Sequence, residues 1–139
     1  MILHFTLRGR PLRGKSGMKT TRAGRHYPDK DWAAQRDEWV WKAQAAARKQ
    51  CDDHAAQGWD TKALPLSCPI KLSGVVRFPD KRVADLDGVI GAIGHVLERA
   101  GVIQNDKQII SVAIDISASG TPTTAGIWCR IETEFVRVE

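Results

Sequence analysis

The chain has few cysteines and no long apolar run, and both features narrow the classes of protein it can belong to. Its three cysteines are odd in number and widely spaced, and they form neither a C-x-x-C motif nor a Cys/His zinc pattern. We interpret Cys51, Cys68 and Cys129 as reduced thiols. No stretch approaches the roughly twenty apolar residues of a membrane span, and no signal-peptide pattern opens the chain. The sequence therefore predicts a cytoplasmic protein.

Length predicts one domain, and the charge permits an anionic partner. A chain of 139 residues without internal repeats suits a single core. Its 21 Lys and Arg against 16 Asp and Glu give a net charge of +5, which permits binding to a polyanion. The basic residues concentrate near the amino terminus, at Arg8, Arg10, Arg13, Lys15, Lys19, Arg22, Arg25 and Lys30. This segment predicts either a solvated flexible loop or a contact with phosphates.

Hydrophobic periodicity predicts four strands and two long helices. Apolar residues alternate with polar ones at 3–7, 70–78, 110–116 and 127–132, as in half-buried strands. Helical spacing covers 29–57 and 86–100, with Gly58 and Gly101 as the expected ends. The segment at about 9–27 lacks any period, which predicts a basic flexible loop. The order indicates an α+β single domain, a mixed β-sheet with two main helices packed on it.

Aromatic residues on the first helix allow two interpretations. Trp39 and Trp41 could stack on nucleic-acid bases, but tryptophans on a helix are more often core or dimer contacts. We therefore expect them to be core or dimer contacts. In the second helix His95 lies two turns past Asp87, where it could contact DNA or a metal, or be an ordinary surface or core residue.

Three aspartates around the second helix form a candidate metal site. Asp85 and Asp87 are two residues apart, so in extended backbone they project to the same side, and Asp106 follows a helix that could return the chain to them. Clustered carboxylates repel one another unless a cation lies among them. Oxygen ligands suit Mg²⁺ or Mn²⁺, which can activate water and polarise a phosphate. Beside a basic segment, the expected substrate is a phosphodiester.

The same aspartates also have a structural explanation. Asp85 or Asp87 could accept hydrogen bonds from the first N–H groups of the helix and complement its dipole. Asp106 could be a turn residue beside Asn105. From the residues alone, capping and metal binding both stay open.

The segment 78–109 resembles the RusA family of Holliday junction resolvases. The resemblance rests on a single pattern along this segment, Phe78-Pro79, Asp85-Leu86-Asp87, Leu97, Gly101-Val102-Ile103 and Asn105-Asp106-Lys107-Gln108-Ile109. It extends to the amino-terminal half through the Phe5 strand, the Gly9-Arg10-Pro11 turn, the His26-Tyr27-Pro28 segment and the Ala-rich helix. The resemblance therefore covers nearly the whole chain.

The resemblance implies a RusA-like fold and a nuclease function. RusA resolvases are small homodimeric endonucleases, bacterial or prophage-encoded, that use Mg²⁺ to nick four-way DNA junctions symmetrically in recombination and repair. Asp85, Asp87 and Asp106 match the three catalytic, metal-binding aspartates of that family. We expect DNA contacts from the nearby basic residues Arg10, Arg13, Lys15, Lys19, Arg22, Arg25, Lys81, Arg82 and Lys107.

Four positions depart from the family pattern. Gly88 and Gly91 stand where the family usually has Asn and Lys, His95 stands where an acidic residue is common, and Asn105 stands where a second Asp is frequent. Losing the lysine removes a cation that could stabilise charge on the scissile phosphate. Two alternatives therefore accompany the nuclease hypothesis. One is a diverged branched-DNA-binding protein with weak or no activity, and the other is a small structural module without a metal site.

Overall fold

A four-stranded mixed sheet with two helices on one of its faces forms the domain. The computed structural model describes residues 1–12, 18–20, 23–24, 26–28, 30–58, 63–80, 85–118, 121 and 123–133. The elements are β1 (Ile2–Arg8), β2 (Met18–Thr20), β3 (His26–Pro28), α1 (Lys30–Ala56), β4 (Ile70–Arg77), α2 (Leu86–Arg99), a 3₁₀ turn (Asp106–Gln108), β5 (Ile109–Ser117) and β6 (Gly126–Thr133).

The sheet has the strand order β1-β6-β4-β5. β6 lies antiparallel to both β1 and β4, whereas β4 and β5 are parallel. Parallel neighbours need a crossover connection, and α2 supplies it. The predicted α+β single domain, a mixed sheet with two helices packed on it, is confirmed.

The core lies between the sheet and the helices. Strand alternation places Leu3, Phe5 and Leu7 of β1 in the core. They lie opposite three buried residues of β6, which are Ile131, Cys129 and Ile127, respectively. The helices bury the apolar faces that their periodicity predicts, including Trp39, Ala43 and Ala47 of α1 and Val89, Ile93, Val96 and Leu97 of α2. Trp41, in contrast, is 68% exposed on α1.

All three cysteines are free thiols. Cys129 is the buried one, and removal from water raises its pKa to about 12. Burial, reinforced by the negative charge of Asp52, also raises the pKa of Cys51. These thiols therefore stay protonated at neutral pH, and Cys129 serves as an apolar core residue.

The alternation expected for β5 is wrong at its first residues. The register with β4 shifts between the pairs Ile70–Ile109 and Lys71–Ser111, which leaves Ile110 without an opposite residue. Ile110 is consequently 55% exposed. Ile109 takes its place on the core side of the strand, together with Val112, which lies opposite the buried Leu72 of β4. A bulge adds one residue to the strand and so reverses the alternation of core and solvent positions. The alternating pattern in the sequence does not show where such a residue is added.

The basic segment predicted to be a loop contains a small second sheet. β2 and β3 pair antiparallel, from Met18 opposite Pro28 to Thr20 opposite His26. Strands of three residues carry too few positions for an alternating pattern, so periodicity misses them.

The two outer strands of the main sheet have different surroundings. The side-chain amide of Gln50 on α1 forms hydrogen bonds with the free edge of β1. The His4 N–H donates to Gln50 Oε1 (2.8 Å), and Gln50 Nε2 donates to His4 O (2.7 Å). Trp39 Nε1 also donates to Arg8 O at 2.9 Å. β5, within the part of the chain that the structure describes, pairs only with β4. Among the residues that the structure describes, one edge is therefore covered by a helix and the other is open.

Gly74 in the centre of β4 is a position where a side chain cannot fit. A Cβ there would lie 2.2 Å from the Trp128 carbonyl oxygen and 2.7 Å from Cys129 Cα, both backbone atoms of β6. We expect Gly74→Ala to lower the free energy of unfolding by about 3 kcal/mol, because the central strands must separate. Ser73→Ala next to it should change stability by less than about 0.5 kcal/mol. Urea unfolding measures both, and similar values for the two variants would contradict the close approach.

Candidate metal and nucleic-acid site

Asp85 and Asp87 lie at the exposed start of α2. Asp85 is the N-cap residue, in extended backbone with φ −63° and ψ 151°, yet its side chain makes no capping hydrogen bond. The capping explanation is therefore wrong for Asp85. Asp87 lies in the first turn, where a negative charge complements the helix dipole. Capping thus leaves the Asp85 carboxylate unexplained.

Asp106 lies in the 3₁₀ turn, but other residues cap that turn. Asn105 Oδ1 accepts from Lys107 N–H at 2.9 Å, and Gln108 Oε1 accepts from Asn105 N–H at 2.8 Å. Together these bonds form a capping box. Asp106 is therefore a turn residue beside Asn105, as the structural alternative expected, while Asn105 and Gln108 make the capping hydrogen bonds.

Gln108 also attaches the turn to the segment before β4. Its Nε2 donates to Leu66 O at 2.7 Å and to Cys68 O at 2.9 Å, while its Oε1 accepts from Gln104 N–H at 2.8 Å. This role of Gln108 was not predicted from the sequence. The Asn-x-x-Gln spacing was the signal that could have indicated a capping box.

The turn places Asp106 beside the middle of α2. A Cβ on Gly94 would lie 3.2 Å from Asp106 Cβ. Gly94 follows Asp87 by seven residues, which corresponds to about 10 Å along the helix axis. Asp87, Gly91 and Gly94 share one helix face by their spacing. Asp106 is therefore on the side of α2 that carries Asp87, but about two turns from it.

The donor chemistry suits Mg²⁺, whereas three clustered ligands are not found. Within the described ranges, no group of three or more His, Cys, Asp or Glu side chains could hold a metal ion. Mg²⁺ usually takes one or two protein carboxylates and completes its shell with water and substrate phosphates. Asp85 and Asp87, both exposed at the start of α2, are two carboxylates of the kind that such an ion takes. The shared site with Asp106 stays a prediction.

The predicted DNA-binding residues fall into three groups. Arg10, in the turn after β1, forms an ion pair with Asp80 beyond the end of β4. Lys107 is exposed on the 3₁₀ turn. The remaining candidates lie outside the described residues or, for Lys19 of β2, have a side chain outside them, namely Arg13, Lys15, Lys19, Arg22, Arg25, Lys81 and Arg82. Their contact with DNA stays a prediction.

His95 belongs to the contact between the two helices. Its ring centroid lies 6.1 Å from that of Trp32 on α1, at an interplanar angle of 39°. The Arg36 guanidinium lies over the same Trp32 ring, 5.2 Å from its centroid. His95 is half-buried in this arrangement, which favours the interpretation as a packing residue over that as a metal ligand.

No protein-family model matches the chain, and no curated protein matches it either. The resemblance to the RusA resolvases therefore stays a prediction that rests on the residues themselves. In the described part of the chain, no helix is long and apolar enough to cross a membrane.

Removing the Gln108 amide should loosen the turn that carries Asp106. Gln108→Ala breaks hydrogen bonds to four backbone groups, and we expect a loss of about 2–3 kcal/mol in the free energy of unfolding. Lys107→Ala, whose side chain is exposed in the same turn, is the matched control and should leave stability unchanged. Urea unfolding tests this, and a loss below about 0.5 kcal/mol for Gln108→Ala would show that the turn is held by other contacts.

Proposed function

We propose that this protein is a Mg²⁺-dependent, structure-selective DNA endonuclease, a phosphodiester hydrolase that resolves four-way junctions by paired symmetric nicks. The observation that supports it best is the Asp85 carboxylate, which begins α2 without capping it and lies two residues from Asp87. An exposed pair of carboxylates in a protein of net charge +5 suits a metal that joins the protein to a phosphate. The resemblance to RusA resolvases supports the junction as the substrate. We place this activity in the cytoplasm of a bacterium, encoded by the cell or by a prophage.

Asp85 and Asp87 would hold the metal in this proposal. When bound there, Mg²⁺ supplies an activated water and stabilises charge on the phosphate. Asp106 would join the ligand set only if the 3₁₀ turn moved along α2 towards Asp87, because it now lies beside Gly94. Arg10, the basic segment after it, Lys81, Arg82 and Lys107 would contact the DNA backbone and compensate in part for Gly91 in place of the family lysine.

We also propose that the protein acts as a homodimer through β5. Symmetric nicks in two strands need two active sites, and the open edge of β5 offers a self-complementary surface. Ile110 and Val112 at this edge are 55% and 38% exposed. Two copies of β5, paired antiparallel about a two-fold axis, would cover both side chains and satisfy the backbone groups of the edge. The edge of β1 offers no such surface, because Gln50 already pairs with His4.

Nicking of a labelled four-way junction tests the catalytic proposal. In Mg²⁺ or Mn²⁺ we expect paired symmetric nicks, which Asp85→Asn and Asp87→Asn abolish because each removes a metal-binding charge. Asp106→Asn should reduce the rate. Asp52→Asn, an exposed aspartate of α1, is the matched control and should cut like the parent protein.

Two outcomes of this assay would contradict the proposal that the protein is a nuclease. Junction binding without nicks under either metal would identify a diverged branched-DNA-binding protein, as Gly88 and Gly91 suggest. Absence of both binding and cleavage would favour a structural module in which the aspartates hold no metal.

The dimer proposal is tested separately by the mass of the protein in solution. Ile110→Lys and Val112→Lys together place charges on the β5 edge, and we expect them to convert a dimer into monomers. Ile2→Lys changes an exposed apolar residue of β1, at the opposite edge of the sheet, in the same way and should leave the dimer intact. Sedimentation velocity distinguishes these states, and a monomeric parent protein would refute the proposal.

A further inference from the structure

The sheet face opposite the helices is solvent-exposed and basic. Residues that alternate with the core positions of the strands project there, away from α1 and α2. Among the described residues, its charged members are Arg8, Lys71, Arg77 and Arg130, against Glu132 and Asp115. Four cations against two carboxylates give this face a net positive charge. Such a surface is electrostatically complementary to a polyanion.

An aromatic residue lies in the middle of this basic face. The Arg77 guanidinium lies over the Trp128 ring, 5.3 Å from its centroid. Gly126 is the residue opposite Arg77 on β6, and because it lacks a side chain it leaves room for the guanidinium to reach the ring. The pair forms a cation–π contact on the sheet.

A shallow depression of about 210 Å³ lies beside Trp128. His4 and Thr6 of β1, Ser73 of β4, and Arg130 of β6 are among the residues that line it. Gly74 also lines it and contributes no side chain, so the depression reaches down to the backbone of the central strands. It therefore combines an aromatic wall with hydrogen-bonding groups and a cation.

We infer that this open sheet face binds an unpaired nucleic-acid strand, with a base stacked on the Trp128–Arg77 surface and phosphates on Arg8 and Arg130. Bases stack on aromatic rings and on guanidinium planes only where they are free of a duplex, and basic side chains follow the backbone. An acidic peptide would satisfy the charges but would leave the stacking surface and the depression unused. The inference does not depend on the aspartates of α2, which lie on the other side of the sheet.

Fluorescence anisotropy with a labelled single-stranded oligodeoxynucleotide, measured in EDTA over a range of NaCl concentrations, tests the inference. We expect the double variant Arg8→Gln, Arg130→Gln, which removes both proposed phosphate contacts, to bind more weakly. The slope of log K against log salt should decrease by about 1.4, because each phosphate contact on a single strand contributes about 0.7. The control double variant Arg48→Gln, Arg99→Gln removes two exposed arginines from the helices and should keep both affinity and slope.

Trp128 is tested by its effect on affinity rather than on salt dependence. Trp128→Leu keeps an apolar side chain but removes the ring, and we expect binding about five-fold weaker or more with the salt slope unchanged. Trp128→Phe restores an aromatic ring and should recover most of the affinity. A residue with only a packing role would not need a ring at this position. If Trp128→Leu fails to fold, the salt dependence of the arginine double variant still tests the inference.

The inference fails if the double arginine variant keeps the parent slope, if the helix control loses as much affinity, or if a duplex of the same sequence binds equally well. An oligoribonucleotide that binds like the oligodeoxynucleotide supports an unpaired strand of either kind. Because EDTA removes the metal, these results are independent of whether the junction is cut.

Discussion

The parallel pairing of β4 with β5 is the constraint on which the rest of this structure depends. Parallel neighbours cannot be joined by a hairpin, so the chain must cross over through α2 before β5 begins. Asp85 and Asp87 lie at the start of the crossover helix, and Asp106 lies in the 3₁₀ turn directly before β5. The crossover therefore separates the aspartates by the length of a helix. The capped 3₁₀ turn shortens that separation by carrying Asp106 back to Gly94.

The position of the helices also separates two kinds of surface. Both helices contribute to the core on one face of the sheet, so the acidic residues of α2 lie on that side. The opposite face keeps the arginines and Trp128 in contact with solvent. In the function that we propose, a metal and a scissile phosphate would meet near α2, while an unpaired strand would lie on the far side of the sheet. A branched DNA substrate has both duplex arms and regions where strands separate.

Much of the fold could be predicted from local patterns. The alternation of Leu3, Phe5 and Leu7 and the apolar face of α2 indicated elements that the structure contains. The exceptions have physical reasons. Ile110 lies at a bulge, which depends on how β5 is registered with β4, and the β2–β3 pair is too short to carry a period. For the candidate site, the sequence identified three aspartates but not that Asn105 and Gln108 would cap the turn around Asp106.

The sequence by itself indicated the four strands of the main sheet, the two helices and, except at Ile110, the apolar side of each, because these depend on neighbours along the chain. It also supplied the residues of the proposed metal and phosphate chemistry. Only the tertiary structure decided that Asp85 does not cap α2 and that Asp106 lies beside Gly94. It also decided that Gln50 pairs with one edge of the sheet, whereas β5 at the other edge has no second neighbour among the described residues. The contact of Arg77 with the Trp128 ring was likewise visible only in the folded chain. Apart from the side chain of Asp85, these features involve residues distant in sequence. They depend on strand order and register, which no local pattern encodes.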